Sequence, residues 1–174
     1  FAATAAPSIS ARIVVTRSAQ VQALCKAQGV PVLLHALPGR NDTVRLGLSA
    51  LLAQHPELTG CMFLPGDQPL LRRATVDQLL TAFAQTQKET ERVIFRLGAP
   101  AGNGPDPLVG SPVLFSNGFF PELLTLPEGK GGSVLLHKYP TLVHTACIAQ
   151  PEELADTDPP AALAQLEALV REKG

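Results

Sequence analysis

Short apolar runs alternate with amphipathic segments along this chain. Four runs rich in valine, leucine, isoleucine and phenylalanine are bounded by polar or turn-forming residues, and they predict buried strands at 11–16, 30–37, 60–65 and 92–97. Between them, apolar side chains recur every three or four residues, which predicts helices at 18–29, 42–55 and 72–87. Ser18 is placed to cap the first of these helices and Gly29 to end it.

The alternation continues beyond a stretch at 98–112 that is dense in glycine and proline and predicts a loop. The later elements are a strand at 111–116, a helix at 117–126 capped by Asn117, a shorter helix at 131–140, a strand at 142–149 and a closing helix at 158–174. Strands alternating with helices of this length are typical of βαβ units. The predicted fold class is therefore α/β, a three-layer α/β/α Rossmann-like sandwich with a mainly parallel sheet, forming a single domain over residues 1–174.

Composition excludes several classes of protein. Basic residues number 14 and acidic residues 15, and the net charge of −1 without a basic cluster argues against nucleic acid or an anionic membrane as a partner. No apolar run approaches the roughly 20 residues of a membrane helix and no signal-peptide pattern opens the chain, so a cytoplasmic protein is predicted. The three cysteines lack CxxC spacing and the four histidines lack ligand spacing, which favours packed thiols and structural histidines.

An isolated acid, Asp67, follows the third predicted strand in "CMFLPGDQPLL". Ligands of parallel α/β sheets bind beyond the carboxyl ends of the strands, and an aspartate there offers an oxygen ligand for Mg²⁺ that carries a nucleotide phosphate. The alternative is that Asp67 caps the turn or helix that follows. Asp156 and Asp158 lie before the closing helix; one is expected to cap it and the other to join Asp67 at the metal, and their spacing alone does not decide which.

A glycine-led loop, "PGRNDT", opens the helix at 42–55. Gly39 allows close approach of a ligand to the backbone, and the first turn of a helix presents free N–H groups to polar or anionic ligands. The alternative is an ordinary helix cap with solvated side chains. In the same way, Lys130 in "PEGKGG" is either a contact for an anionic phosphate or a solvated turn lysine.

Three motifs in order resemble the nucleotidyltransferases of molybdenum cofactor synthesis, the MobA-like NTP transferase family, and within it the molybdenum cofactor cytidylyltransferase type. "LPGDQPLL" is similar to the strand-end Gly-Asp-x-Pro motif whose aspartate binds magnesium. "GSPVLFSNGFFPELLTLPEGKGGSVLL" is similar to the family's Gly-His-Pro strand, helix and Gly-rich turn, and "LADTDPPAAL" to its Leu-Asp-Ile-Asp-Thr-Pro ending. The resemblance covers roughly residues 12–163 and implies a nucleotide-diphospho-sugar transferase-like fold.

The resemblance also implies an activity and its residues. "GRNDTVRLGL" is similar to the segment that surrounds cytosine in methylerythritol phosphate cytidylyltransferases. The implied reaction joins a nucleoside monophosphate from an NTP, with CTP favoured, to a phosphorylated acceptor such as molybdopterin cofactor, with Mg²⁺ as cofactor and a molybdoenzyme or its chaperone as protein partner. Asp67 is the implied catalytic and metal-binding residue, with Asp156 preferred over Asp158 as the second metal ligand. The substrate contacts by position are Gly39, Arg40, Asn41, Thr43, Gly66, Gly110, Ser111 and Lys130.

The sequence departs from the family pattern in three places. The family's first strand and its Leu-Ala-Ala-Gly-x-Ser-x-Arg-Met-Gly loop, which wraps the triphosphate, have no counterpart here, so we expect residues 1–174 to lack both and Phe1–Ala6 to be the tail of the next helix. Ser111 replaces a frequent histidine and Pro159 a frequent threonine. Two alternatives stay open, a non-catalytic nucleotide or cofactor binding module of the same fold and a guanylyl, sugar-nucleotide or isoprenoid-precursor transferase.

Overall fold

The computed structural model describes residues 1–100 and 107–156. The strands are β1 (Val14–Thr16), β2 (Val32–Leu34), β3 (Gly60–Phe63), β4 (Ile94–Ala99), β5 (Leu108–Ser116) and β6 (Val143–Cys147). The helices are α1 (Ala19–Ala27), α2 (Arg40–Gln54), α3 (Arg73–Thr86), α4 (Phe120–Leu124) and α5 (Ser133–Lys138). Each strand and helix predicted within these residues is confirmed, and the closing helix predicted at 158–174 lies outside them.

Several ends of the predicted elements differ from expectation. The stretch at 98–112 was predicted as a loop, but β4 runs to Ala99 and β5 begins at Leu108, so the prediction is wrong at both of its ends. Asn117 begins a 3₁₀ turn, Asn117–Phe119, that leads into α4, and it caps neither helix with its side chain, so the predicted Asn117 cap is wrong. The proposed helix tail at Phe1–Ala6 is a 3₁₀ turn at Ala2–Thr4. By contrast, Ser18 caps α1 as predicted, because its Oγ accepts a hydrogen bond from Val21 N at 3.3 Å.

The strands form two sheets. β1 and β2 pair in parallel, from Val14 opposite Val32 to Thr16 opposite Leu34. The other four strands lie in the order β3-β5-β4-β6, in which β4 and β6 are parallel and β5 is antiparallel to both of its neighbours. The α/β fold is confirmed, but β5 makes the larger sheet mixed, because the link at 100–107 is shorter than the dozen or so residues that a parallel crossover needs.

Alternate residues of the larger sheet enter two hydrophobic clusters on its opposite faces. In β4, Phe95 and Leu97 pack in one cluster and Ile94 in the other, and in β5 Leu114 and Phe115 divide in the same way. The first cluster is covered by Val76, Leu79 and Phe83 of α3, and the second by Leu48, Phe120, Leu123 and Leu135 of α2, α4 and α5. Helices on both faces of one sheet give the predicted three-layer sandwich.

Two of the three cysteines are buried. Cys25 in α1 and Cys61 in β3 are shielded from solvent, and burial raises the pKa of the Cys61 thiol to about 12. These two are the reduced, packed thiols that were predicted. The prediction is wrong for Cys147, which is exposed at the end of the edge strand β6. None of the helices in the described part of the chain combines the length and hydrophobicity needed to cross a membrane.

Glu122 in α4 is the centre of a charged cluster. Its carboxylate accepts hydrogen bonds from Arg92 Nη2 at 2.5 Å and Lys138 Nζ at 2.8 Å, and from the Tyr139 hydroxyl at 3.0 Å. The Arg92 guanidinium also lies over the rings of Phe119 and Tyr139, 4.2 and 4.7 Å from their centroids. The pKa of Glu122 is lowered, chiefly by the hydrogen bond from Lys138, with Arg92 and Tyr139 adding to it. These contacts hold α4 against α5 and against the segment that leads into β4.

We expect this cluster to make the free energy of unfolding depend on pH. Because the pKa of Glu122 is lower in the folded protein than its ordinary 4.5, the stabilisation is complete above that value and is lost as the pH falls through the folded pKa. Urea unfolding across acidic pH should therefore show a smaller loss of stability for Glu122→Gln than for the wild type. Glu128→Gln, an exposed carboxylate in a turn, is the matched control. Superimposable pH profiles for the wild type and Glu122→Gln would contradict the prediction.

Candidate functional site

Asp67 lies in the loop between β3 and α3, beyond the carboxyl end of the strand. Its Oδ1 is shielded from solvent and has no hydrogen-bond partner among the described residues. A buried carboxylate oxygen without a partner is costly to the folded state, and native proteins keep such groups where a ligand or an ion pairs with them. Asp67 therefore has the free oxygen that a cation ligand needs.

Glu153 takes the capping role that was the alternative for Asp67. It is 4% exposed, and its Oε2 accepts hydrogen bonds from the backbone N of Arg72 at 3.0 Å and from Thr75 Oγ1 at 2.5 Å. Both donors lie at the N-terminus of α3, where a carboxylate is favourable. The N-cap residue of α3, Arg72, supplies no side-chain cap. The absence of a local capping residue was the sequence signal that a distant residue caps this helix. Glu153 was not among the residues predicted from the sequence.

A short 3₁₀ helix, Pro151–Leu154, is held beside the Asp67 loop. Besides the Glu153 contacts, Gln68 Nε2 donates a hydrogen bond to the Leu154 carbonyl at 3.5 Å. On the neighbouring strand β5, a side chain placed at Gly110 would meet Leu154 Cδ2 at 3.5 Å, so Gly110 and the adjoining Ser111 border the same segment. Leu154 therefore contacts Gln68, the residue after the predicted Asp67, and lies next to the predicted Gly110.

Asp156, the predicted second metal ligand, is exposed two residues beyond Leu154. The alternative, Asp158, lies outside the described residues. No group of three or more histidine, cysteine, aspartate or glutamate side chains arranged for a metal occurs within 1–100 and 107–156. Mg²⁺ does not require such a cage, since it is commonly held by one or two carboxylates together with phosphate oxygens and water. Asp67, alone or with Asp156, fits that ligand set.

A second group of predicted residues is built from two distant segments. Asn41 Oδ1 accepts a hydrogen bond from Gly129 N at 2.9 Å, which joins the start of α2 to the turn at 127–130. Gly129 has a φ of +72°, and Lys130 N donates back to the Pro127 carbonyl at 3.0 Å, so the turn depends on this glycine. The contact brings the exposed side chains of Arg40 and Lys130 to the same part of the surface.

The first turn of α2 is closely packed around Gly39. Gly39 N donates a hydrogen bond to Asp42 Oδ2 at 3.2 Å, which caps the helix. A Cβ atom at Gly39 would overlap with the Asn41 amide oxygen, so only glycine allows Asn41 to reach Gly129. Arg45 pairs with Asp42 at 3.1 Å on the outer surface. Gly39 is thus needed by the loop itself, whether or not a ligand approaches it.

Thr43, the residue after Asp42 in α2, contacts His35, which follows β2. The Thr43 hydroxyl oxygen is 3.3 Å from His35 Nε2, while His35 Nδ1 is shielded from solvent without a partner among the described side chains and backbone. His35 was predicted to be a structural histidine. Its distance along the sequence from other polar residues did not indicate a contact with Thr43.

The two groups are linked through one hydrophobic cluster. Val44, next to Thr43, and Phe63, at the end of β3, pack against the same cluster. The chain segments that adjoin these residues carry an unpaired carboxylate oxygen, in the loop after β3, and the cationic side chain of Arg40, at the start of α2, with Lys130 on the neighbouring turn. Such groups suit a polyphosphate with a divalent cation.

Comparison with known proteins gives one family match. The sequence profile of the MobA-like NTP transferase domain matches residues 1–155. No curated protein matches the chain.

Several solved structures are similar in fold. Rv0371c from Mycobacterium tuberculosis H37Rv gives a TM-score of 0.72 at 23% identity over 91% of this chain and 76% of that chain. Another structure of Rv0371c is a complex with manganese. CMP:2-keto-3-deoxy-manno-octonic acid synthetase complexed with CTP gives 0.70 at 14% identity over 99% and 85% of the two chains. For 4-diphosphocytidyl-2C-methyl-D-erythritol synthase from Anaerococcus prevotii DSM 20548 the values are 0.70 and 11%, over 97% and 82%.

Proposed function

Since the chain belongs to the MobA-like NTP transferase family, we propose that it transfers cytidine monophosphate from CTP to a phosphorylated acceptor of the molybdopterin type. An oxygen of the acceptor phosphate attacks the α-phosphorus of CTP, the bond from that phosphorus to the bridging oxygen breaks, and pyrophosphate leaves. In this proposal residues 1–174 form one nucleotidyltransferase-like domain. The observation that carries it is the buried, unpaired Oδ1 of Asp67 at the end of β3.

Asp67 is the proposed metal ligand, with Asp156 as the second. Bound Mg²⁺ would neutralise phosphate charge and polarise the reacting phosphate. The role of the protein in this chemistry is alignment and charge stabilisation, because phosphoryl-type transfer does not require a protein nucleophile. Glu153 and Gln68 support that role, since they hold the segment before Asp156 against the Asp67 loop.

The start of α2 is the proposed nucleotide side of the site and the turn at 127–130 the acceptor side. Gly39, Arg40, Asn41 and Thr43 are assigned to CTP, while Lys130, Gly110 and Ser111 are assigned to the acceptor and Gly66 to the backbone beside the metal. The cationic side chains of Arg40 and Lys130 favour anionic phosphates. Ser111 can donate a hydrogen bond to the acceptor but cannot serve as its base near neutral pH.

Calorimetry with CTP, GTP and ATP in the presence of Mg²⁺ tests the proposal. We expect CTP to bind most tightly, with a dissociation constant of roughly 1 to 100 μM, and EDTA to weaken the binding. Tighter binding of GTP would replace the cytidylyl assignment with a guanylyl one. CTP binding without pyrophosphate release, when acceptor is supplied, would favour the binding module. Failure of all three nucleotides to bind would contradict any nucleotidyltransferase activity.

A further inference from the structure

The contact between His35 and Thr43 has a definite geometry. His35 is fixed at the end of β2, where its backbone N donates to the Thr16 carbonyl at 3.0 Å. Its ring reaches across to the first turn of α2, with Nε2 3.3 Å from Thr43 Oγ1. Thr43 is itself held by the first hydrogen bond of the helix, from its N to the Gly39 carbonyl at 3.4 Å. Both partners are therefore anchored through their backbones.

The surroundings of His35 Nδ1 indicate which ring nitrogen carries the proton. Nδ1 is shielded from water and has no acceptor within the described chain. A neutral imidazole has one N–H group, and burying that donor without an acceptor costs more than leaving a lone pair unpaired. This cost favours the tautomer with its proton on Nε2, in which Nε2–H donates to the oxygen of Thr43.

This arrangement determines what the Thr43 hydroxyl can offer to a ligand. Its oxygen accepts from His35, so its single proton is available for donation. We propose that His35 is a positioning residue that holds the Thr43 hydroxyl as a donor toward an acceptor atom on the nucleotide base, an inference that rests on the proposed function. A ring nitrogen with a free lone pair, as at N3 of cytosine, suits this donor, whereas the N3–H of uracil opposes it.

The protonation of His35 can be measured without any ligand. Long-range ¹H–¹⁵N NMR on the full chain, with the signal assigned through His35→Gln, should show Nε2 protonated and Nδ1 unprotonated. A proton on Nδ1 would overturn the proposal, because Nε2 would then accept the proton of Thr43 and leave the hydroxyl no donor for the base.

Measurements of nucleotide affinity test whether Thr43 and His35 contribute to CTP binding. We expect Thr43→Val to weaken CTP binding about tenfold and to reduce the preference for CTP over UTP, while Thr43→Ser stays within about twofold of the wild type. His35→Leu should weaken CTP binding about three- to tenfold, and His35→Gln should recover part of the loss because its amide N–H replaces Nε2–H. Thermal unfolding of each variant checks that the fold is intact.

The decisive comparison is the double variant. If His35 acts through Thr43, His35→Leu causes no further loss of CTP affinity in a Thr43→Val background. An equal loss in both backgrounds would overturn the proposal, as would unchanged affinity in Thr43→Val. If CTP binding by the wild type depends on Asp67 but not on Thr43, the proposed function stands and this inference fails. If the wild type binds no nucleotide, both are overturned.

Discussion

Replacing Asp67 with asparagine is expected to reduce nucleotide transfer about 100- to 1,000-fold and to leave the protein at least as stable as the wild type. The amide has no negative charge for the divalent cation, so the loss of activity follows directly from the proposed role. Stability should change in the other direction, because Oδ1 of Asp67 is a buried acceptor without a partner. Removing a charge that the fold does not satisfy should raise the free energy of unfolding by up to about 1 kcal/mol.

Two measurements on one variant test this expectation. Pyrophosphate release from CTP reports transfer, and urea unfolding reports stability. Asp77→Asn is the matched control, since the partly exposed Asp77 side chain lies on α3 in an ion pair with Arg73 at 3.6 Å. Its activity should equal that of the wild type. A clear loss of stability in Asp67→Asn would mean that Asp67 is a structural residue, and retained activity would remove it from the metal site.

Replacing Glu153 with alanine is expected to lower the free energy of unfolding by about 2 to 4 kcal/mol. The change leaves the N–H of Arg72 and the hydroxyl of Thr75 without their acceptor at the N-terminus of α3. It also removes a side chain that is only 4% exposed, so a small cavity adds to the cost. Glu153→Gln retains an accepting oxygen and should lose only about 1 kcal/mol.

Chemical unfolding at neutral pH measures the two losses, with Glu89→Ala, an exposed carboxylate beyond α3, as the control. A second effect should accompany the first. Without Glu153, the segment at Pro151–Leu154 loses its hydrogen bonds to the start of α3, which follows the Asp67 loop, so metal-dependent CTP binding should weaken in the alanine variant more than in the glutamine variant. Equal stability of Glu153→Ala and wild type would show that the cap contributes nothing.

The parts of this structure that the sequence predicts are those encoded by neighbouring residues. Periodic apolar positions predicted the strands and helices, and the turn chemistry around Asp67 and Gly39 predicted which loops carry polar groups. The cap on α3 was missed because its acceptor, Glu153, is supplied from 81 residues away. The direction of β5 was missed for a related reason, since strand pairing depends on the connection at 100–107 rather than on the pattern within the strand.

In the candidate site too, contacts between distant residues could not be predicted from the sequence. Each residue in the pairs Asn41 and Gly129, and His35 and Thr43, has ordinary local surroundings in the sequence, and only the fold brings the partners together. The resemblance of "GRNDTVRLGL" to a cytosine-binding segment implied Asn41 and Thr43 as ligand contacts. It could not show that the Asn41 oxygen is already engaged by Gly129, or that the Thr43 oxygen is next to His35.

The hydrogen bond from Gly129 N to Asn41 joins the two proposed substrate segments, so the order of each segment depends on the order of the other. If the nucleotide orders the start of α2 and the acceptor orders the turn at 127–130, each ligand also stabilises the segment that binds the other. Such linkage is reciprocal, so the acceptor would raise the affinity for the nucleotide by the same factor by which the nucleotide raises that for the acceptor. A single contact of 2.9 Å would then give a bisubstrate enzyme heterotropic cooperativity without a separate regulatory site.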